Sequence, residues 1–408
     1  MLEFRQLSSS EIPWQDLDRF GDRVVFQTRE WLAFIADSQN ATPIVAEIRD
    51  GRNIAGYFSG LIVRKIGLPI LGSSFPGWTT PYIGFNLKPG YSRADALSGL
   101  TDWAFRELRC LHLEVSDRGF SDNDGDSGHL DRTAYETYKS DLTKSEDQLF
   151  KAMDSACRRC IRKAEKGGVV VEEAHDLEFA DEYYAQLKDV FAKQGKVPTY
   201  SAERVRLLMK HLLPTGRLLA VRARNPEGRC IATSLYPGFN DTAFFWGNAS
   251  WRADQHWRPN ELLHWYALQY WKARGVKLFD WGGGGTYKEK YGVERYAVPW
   301  FFRSRYRVLT TIRNEAREGS TEASASSGAC TASISRPPRP PNNQARSGHA
   351  LQAVTARRDR FAIRAIRVGE LRACCRPRCA PPAIGPPSDA DTAAPPRPDR
   401  GHAPRYRR

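Results

Sequence analysis

Asp280 closes the apolar run VKLFDW, and four glycines, Gly282 to Gly285, follow Trp281, with Lys288 and Lys290 just beyond. A carboxylate at the end of a strand can take the proton of an amine, which must be neutral to attack an acyl carbon. The alternative gives Asp280 to the backbone N–H groups of the glycine turn. Glu261 raises the same choice, because a carboxylate in the first turn of a helix also gains from the macrodipole. The glycines match neither common nucleotide loop. A P-loop needs lysine and a hydroxyl directly after its last glycine, whereas Gly285 is followed by Thr286, Tyr287 and only then Lys288. A dinucleotide loop runs G-x-G-x-x-G into a helix, and KEKYGVERYAVPWFF has no 3.6-residue apolar repeat. A polar-ended bend after a short strand remains.

Lys288 and Lys290, two apart, are expected on one side of an extended strand with Glu289 opposite, as a solvated edge or as contacts to phosphate or carboxylate. Tyr291 belongs either to the core or to a ring stacked on a sugar or adenine. Trp246 and Asn248 sit two apart on the strand DTAFFWGNAS and share a face, and an asparagine buried among aromatics needs partners, which points to a ligand. Arg158, Arg159, Arg162, Lys163 and Lys166 give one helix a basic face that Glu165 interrupts, suited to a phosphate-bearing substrate, to tRNA or to water. Cys157 and Cys160 form CRRC at i, i+3 on that helix. This fits a buried or half-buried face better than redox work, and no second ligand pair supports a metal site. His175, His211, His256 and His264 have no accompanying nucleophile signature, so direct transfer is preferred to a covalent acyl-enzyme.

These residues need elements to hold them. QTREWLAFIADSQ (27–39) reads as an amphipathic helix, and ATPIVAEIRD with NIAGYFSGLIVRKIG as a hairpin turning at Asp50 and Gly51. A glycine- and proline-broken stretch (68–85) carries Trp78 and Tyr82, and a helix over 93–109 leads into a strand at 111–115. The acidic loop 117–131 lacks calcium-loop spacing. Ser145 and Gln148 form a capping box, and Leu149, Ala152, Met153, Ala156 and Cys160 trace one stripe of the helix behind it, stopped at Gly167 and Gly168. The strand VVVEEA, helices near 177–193 and 201–212, the strands RLLAVRAR, CIATSLYPGF and DTAFFWGNAS, a helix at 261–273 and the strand VKLFDW complete the order. It is α+β with a mixed sheet, in two halves of similar texture around a shared cleft.

The 408 residues suffice for two domains. Their +14 charge suggests nucleic acid only until it is located: from Ala316 onward there are 17 Arg, no Lys and 7 Asp or Glu, leaving 44 basic against 40 acidic residues before it. That tail holds 13 of the 25 prolines and only Phe361 and Tyr406 as aromatics, so disorder is expected over 313–408. Loss of lysine while arginine persists fits an out-of-frame extension, with a basic arm as the rival. No signal peptide or transmembrane run is evident, which predicts a cytoplasmic protein, with the inner membrane face as a further location, and free thiols.

The words SACRRCIRKAEKGGVVV (155–171), RPNELLHWYALQYWKARGVKLFDWGG (258–283) and YKEKYG (287–292), in that order, resemble the FemAB-like peptidoglycan-bridge aminoacyltransferases and the related polysaccharide-associated acyltransferases of the GNAT superfamily. The similarity covers roughly residues 20–305. It implies two tandem GNAT-like domains, 1–134 and 135–312, the second carrying a cleft where an activated acyl group meets an amine. The glycines then permit close ligand approach, Lys288, Lys290 and Tyr291 face anionic or sugar-linked groups, and Arg162 and Trp78 complete the substrate contacts. This sequence departs from acetyl-CoA enzymes at WRADQHWRPN, which has no glycine to grip pyrophosphate. Arg252 and Arg258, with Asn248 and Asn260, are the expected donor contacts instead, aided by the N terminus of the following helix. No long helical hairpin interrupts 177–213, so acyl-CoA is favoured over aminoacyl-tRNA, with no permanently bound cofactor. The expected activity is N-acylation of an amino sugar of the cell envelope or an exopolysaccharide, or of its precursor. The rivals are peptidoglycan-bridge aminoacyl transfer and a non-catalytic glycan-binding scaffold.

Overall fold

Strands buried along continuous runs on both faces carry the first half. Strand β1 (Glu3–Gln6) and a short helix α1 (Trp14–Leu17) precede helix α2 (Arg29–Gln39), which starts where the Thr28 side chain accepts from the Trp31 N–H. Strands β2 (Thr42–Asp50) and β3 (Asn53–Lys65) form the expected hairpin, with Gly51 at φ 57° in its turn. Then come β4 (Leu68–Gly72), β5 (Gly84–Leu87), α3 (Arg93–Asp102) with a π-helical extension at Trp103–Glu107, β6 (His112–Ser116) and β7 (Asp131–Asp141). The computed structural model describes residues 2–65, 67–75, 77–121, 124, 130–192 and 195–306, all within one compact unit, Met1–Ile334. The tail expected to be disordered from 313 lies outside the described residues.

Helix α4 (Glu146–Ala152) carries the Ser145/Gln148 capping box, with both reciprocal bonds formed. The single helix expected through Cys160 is in fact two. Met153 is extended (φ −63°, ψ 150°), and Asp154 starts α5 (Ser155–Lys166) by accepting from the Cys157 N–H at 2.6 Å. The aspartate cap outcompetes continuation of the helix, and the buried stripe of α5 is Cys157, Ile161 and Ala164 rather than Ala156 and Cys160. Strand β8 (Val170–Glu173), helices α6 (Phe179–Ala192) and α7 (Ala202–Leu212), and strands β9 (Leu218–Arg224) and β10 (Cys230–Phe239) follow. The run DTAFFWGNAS, expected as one strand, divides into β11 (Thr242–Phe244) and β12 (Gly247–Ser250). Helix α8 (Pro259–Ala273), β13 (Leu278–Asp280) and β14 (Glu294–Ser304) complete the order.

The strands form one sheet in the order β1-β2-β3-β4-β6-β14-β7-β13-β11-β10-β9-β8, with β5 added on β3 and β12 on β10. From either end toward the central β14–β7 pair, the pairings repeat: three antiparallel, then one parallel. The parallel pairs are β4–β6 and β11–β13. The two halves therefore share a topology without a sequence repeat, and residue 135, the expected boundary, lies inside β7 within one compact unit. Two core clusters flank the second half. One joins α2, α6 and α7 to one face, and the other joins α4, α5 and α8 to the opposite face.

Candidate active site

Where the parallel pair ends, the second half opens. β11 and β13 stay in register only for Thr242 with Leu278, Ala243 with Phe279 and Phe244 with Asp280, and the last link is the Phe245 N–H to the Asp280 carbonyl at 2.8 Å. Beyond it β12 follows β10 while the chain after Asp280 turns away, so among the described residues no strand covers the other edge of β12. The Trp251 N–H donates to Ile231, and antiparallel alternation then turns the N–H groups of Asn248 and Ser250 into the opening. In the first half hydrogen bonds bridge the equivalent place. Residues 73–83 lie between β4 and β5, Ser73 bonds both the Glu114 and Ser116 carbonyls, and Asp117 accepts from the Phe85 N–H of β5.

Asp280 is fully buried at the apex of the opening and accepts four hydrogen bonds. Thr137 Oγ1 and the Gly282 N–H donate to Oδ1 at 2.8 Å each, and the hydroxyls of Tyr82 (2.8 Å) and Tyr296 (2.6 Å) donate to Oδ2. The carboxylate thus ties the first half, β7, β14 and the glycine turn together. Burial first, and the Asp280 charge second, push both tyrosines well above the usual phenol range.

The segment after the glycines is not the extended strand expected. Thr286–Tyr291 forms a 3₁₀-helix, so Lys288 and Lys290 no longer share a strand side. The reason is the strut that Lys288 makes: its buried ammonium donates to the carbonyls of Gly282 and, at 2.9 Å, Gly283, while the Gly283 N–H donates to the Tyr135 hydroxyl. Burial pulls the Lys288 ammonium down to about 8, against the opposing pull of Asp280. Gly292 ends the helix at φ 68°, where a Cβ would lie 2.4 Å from the Ala152 carbonyl oxygen. Gly292→Ala is therefore expected to cost about 2–4 kcal/mol in urea unfolding, combining left-handed strain with a backbone clash. Gly284→Ala, which meets nothing within 4 Å, is expected to stay within about 0.5 kcal/mol.

Glu261 occupies the third position of α8, behind Pro259, rather than its first, and is paired with Lys290 at 2.8 Å. Tyr291 is a core residue, stacked on Trp281 at 4.5 Å, which leaves no open face for a sugar or adenine. Asn248 is half-buried and donates to the Thr233 carbonyl at 3.1 Å, and Trp246 packs on Tyr200 at 5.3 Å. Asn260 Nδ2 donates to Ser250 Oγ at 3.2 Å, leaving Asn260 Oδ1 buried without a partner. Trp78 packs beside Phe75 at 5.1 Å in the 73–83 segment.

The structure brings Arg162 and Arg258 together. With Arg159, Lys163, Lys166, His256 and Trp257 they line a groove of about 780 Å³ between α5 and the start of α8, and no carboxylate contributes to its lining. Arg258 adopts φ 60° and precedes α8 without a side-chain cap, so first-turn N–H groups of the helix add to the cationic field. Arg252 is not part of this lining, since its exposed residue engages Asp189 through its backbone N–H at 3.0 Å. Tyr135, Thr137 and Tyr296 escaped the sequence, and the role of Tyr82 with them around Asp280 and the glycine turn was hidden by their separation.

A mixed sheet whose parallel pair parts beside an uncapped helix and a cationic groove has the arrangement of a GNAT-like fold. In agreement, residues 152–296 match the family model described as an acetyltransferase (GNAT) domain. A crystal structure of FemX is similar with a TM-score of 0.63 and 13% identity, over 76% of this chain and 99% of that one. A conserved protein of unknown function from Bacteroides thetaiotaomicron VPI-5482 superposes with a TM-score of 0.50 at 12% identity, over 74% and 99% of the two chains. A tandem GNAT protein from the clavulanic acid biosynthesis pathway gives 0.46 at 14% identity, over 74% and 98%. No curated protein matches. Among the described residues, no helix is long and apolar enough to cross a membrane.

Proposed function

We propose that the protein transfers an acyl group from acyl-CoA to a primary amine of a cell-envelope or exopolysaccharide sugar, or its precursor. The observation that carries this reading is the opening beyond Phe244 and Asp280, where β11 and β13 part and, among the described residues, no strand pairs the other edge of β12. A pantetheine arm is a chain of amides, and the outward backbone groups of Asn248 and Ser250 can pair with it as a strand would. The groove holding Arg162 and Arg258 then receives the diphosphate, with the N terminus of α8 behind it. The neutral amine attacks the thioester carbon, a C–N bond forms, the C–S bond breaks, and the amine proton ends on the departing thiol. Asp280, with four donors on it, acts by fixing the apex of the opening, and Glu261 acts through Lys290.

Mixing the protein with acetyl-CoA and amino sugars, while following free thiol and product mass, tests the reading. No product with any amine, together with no thermal shift by CoA, would sink it and leave the scaffold alternative. Arg162 and Arg258 are exposed, so each lost contact is screened. Arg162→Ala and Arg258→Ala are expected to weaken acetyl-CoA binding about 3- to 10-fold each, more at low salt, with little change in turnover at saturation. Aminoacyl-tRNA is the second donor reading, because a carboxylate-free cationic groove suits any phosphate-bearing donor. Saturable, salt-sensitive filter binding of tRNA with no thiol release would favour it.

A further inference from the structure

Arg204 differs from five other shielded arginines. Arg23, Arg93, Arg118, Arg217 and Arg222 each pair with at least one carboxylate. Arg204, half-buried in the first turn of α7, donates instead to two neutral oxygens, Gln39 Oε1 at 2.7 Å and Thr79 Oγ1 at 2.8 Å, and its guanidinium lies 5.5 Å from the Tyr200 ring centre. Its Nε is buried with no acceptor, as are Gln39 Nε2 and Trp246 Nε1. Trp246 is only 6% exposed and packs on the same Tyr200 ring. The Tyr200 hydroxyl meets that of Tyr183 at 2.8 Å, and a single bond between two hydroxyls leaves one of their protons over. Among the described residues this patch thus holds a cation and three unsatisfied donors with no carboxylate bonded to them, a costly arrangement unless an anion completes it. Burial lowers the pKa of the Arg204 guanidinium, with Tyr200 opposing, as expected of a charge without a counter-charge.

The patch also has a direction. Trp246 lies at the point where β11 ends and the opening begins, and a Cβ on the next residue, Gly247, would sit 2.3 Å from the Tyr183 hydroxyl. Trp246 and Tyr183 belong to the core on the α6 and α7 face, whereas Trp281, Tyr291 and the packing of Trp257 belong to the opposite face, with α5 and α8. A thioester entering from the α8 groove would therefore meet an acceptor held on the α7 side.

We propose that Arg204, Gln39 and Trp246 form an oxyanion subsite for the acceptor, so that the favoured substrate is an amine carrying a carboxylate or a phosphate. This rests on the opening being the site of transfer. Binding of glucosamine, muramic acid and glucosamine 6-phosphate, measured calorimetrically without donor, tests the subsite independently of catalysis and separates carboxylate from phosphate. At least one of the two anionic amines is expected to bind roughly 10- to 100-fold more tightly than glucosamine, the span of a charge-assisted hydrogen bond. Arg204→Gln, and separately Trp246→Phe as a milder change, are expected to reduce that preference in protein of unaltered secondary structure, while the thermal shift by CoA is retained. Equal binding of the neutral and both anionic amines, or a preference undiminished in folded Arg204→Gln, would overturn the proposal. Loss of the CoA shift and of thiol release in the unaltered chain would instead count against the transfer reading, with the amine-binding comparison still deciding the subsite.

Discussion

Asp280→Asn is expected to lower stability by about 2–4 kcal/mol in urea unfolding, through the loss of charged hydrogen bonds at a fully buried position. The carboxylate receives Thr137 and Gly282 on one oxygen and Tyr82 and Tyr296 on the other. An amide keeps only one acceptor. If its oxygen stays with Thr137 and Gly282, its nitrogen must donate to the two tyrosines, whose own protons then lack acceptors. The reversed amide is worse, because it sets an N–H against the fixed Gly282 N–H. Tyr296→Phe, which removes a single donor, is expected to cost about 1–2 kcal/mol. A base at Asp280 makes a different prediction: folded Asp280→Asn would be as stable as the unaltered chain but turn over about 10² times more slowly. Stability and single-turnover rates measured on the same preparation separate the two roles. An unchanged urea midpoint would refute the structural one.

The sequence displayed the local parts of this site better than their meeting. The hairpin at Asp50–Gly51, the Ser145/Gln148 box and α8 follow from turn chemistry, caps and apolar spacing, all of which act within a few residues. The break at Met153 was also local, but the apolar stripe running through it masked the Asp154 cap. Lys288 was misplaced for a different reason. Its alternation with Lys290 suits a strand, and only the tertiary demand for a cation on the Gly282 and Gly283 carbonyls winds the segment into a 3₁₀-helix. The four partners of Asp280 come from residues 82, 137, 282 and 296, and only the Gly282 contact is short-range enough for sequence to suggest. Arg204 gave no signal at all, because its neutral partners, Gln39 of α2 and Thr79, are far from it in sequence.

His264 gives the fold a sharp acid sensitivity. It is buried in α8 with Nδ1 2.8 Å from the Tyr236 hydroxyl, and its ring meets Phe245, Trp281 and Tyr291 edge to face. Burial, reinforced by Lys290 and Lys288, lowers its pKa to about 3. An unfolded histidine titrates near 6.5, so between these values the unfolded chain binds one more proton than the fold. Stability from this residue is therefore complete above about pH 6.5 and is lost as the pH falls toward 3. At 1.36 kcal/mol per unit, the loss by pH 4 is roughly 3 kcal/mol. His264→Phe strands the Tyr236 hydroxyl and so lowers stability by a fixed amount, but it removes the titration. Unfolding free energies of the two proteins measured from pH 7 to pH 4 are expected to converge, or cross, as the pH falls, the difference changing by close to one proton per molecule below pH 6. Parallel curves would show that His264 takes up its proton inside the fold, and would require the cluster of His264, Tyr291 and Lys290 to admit water.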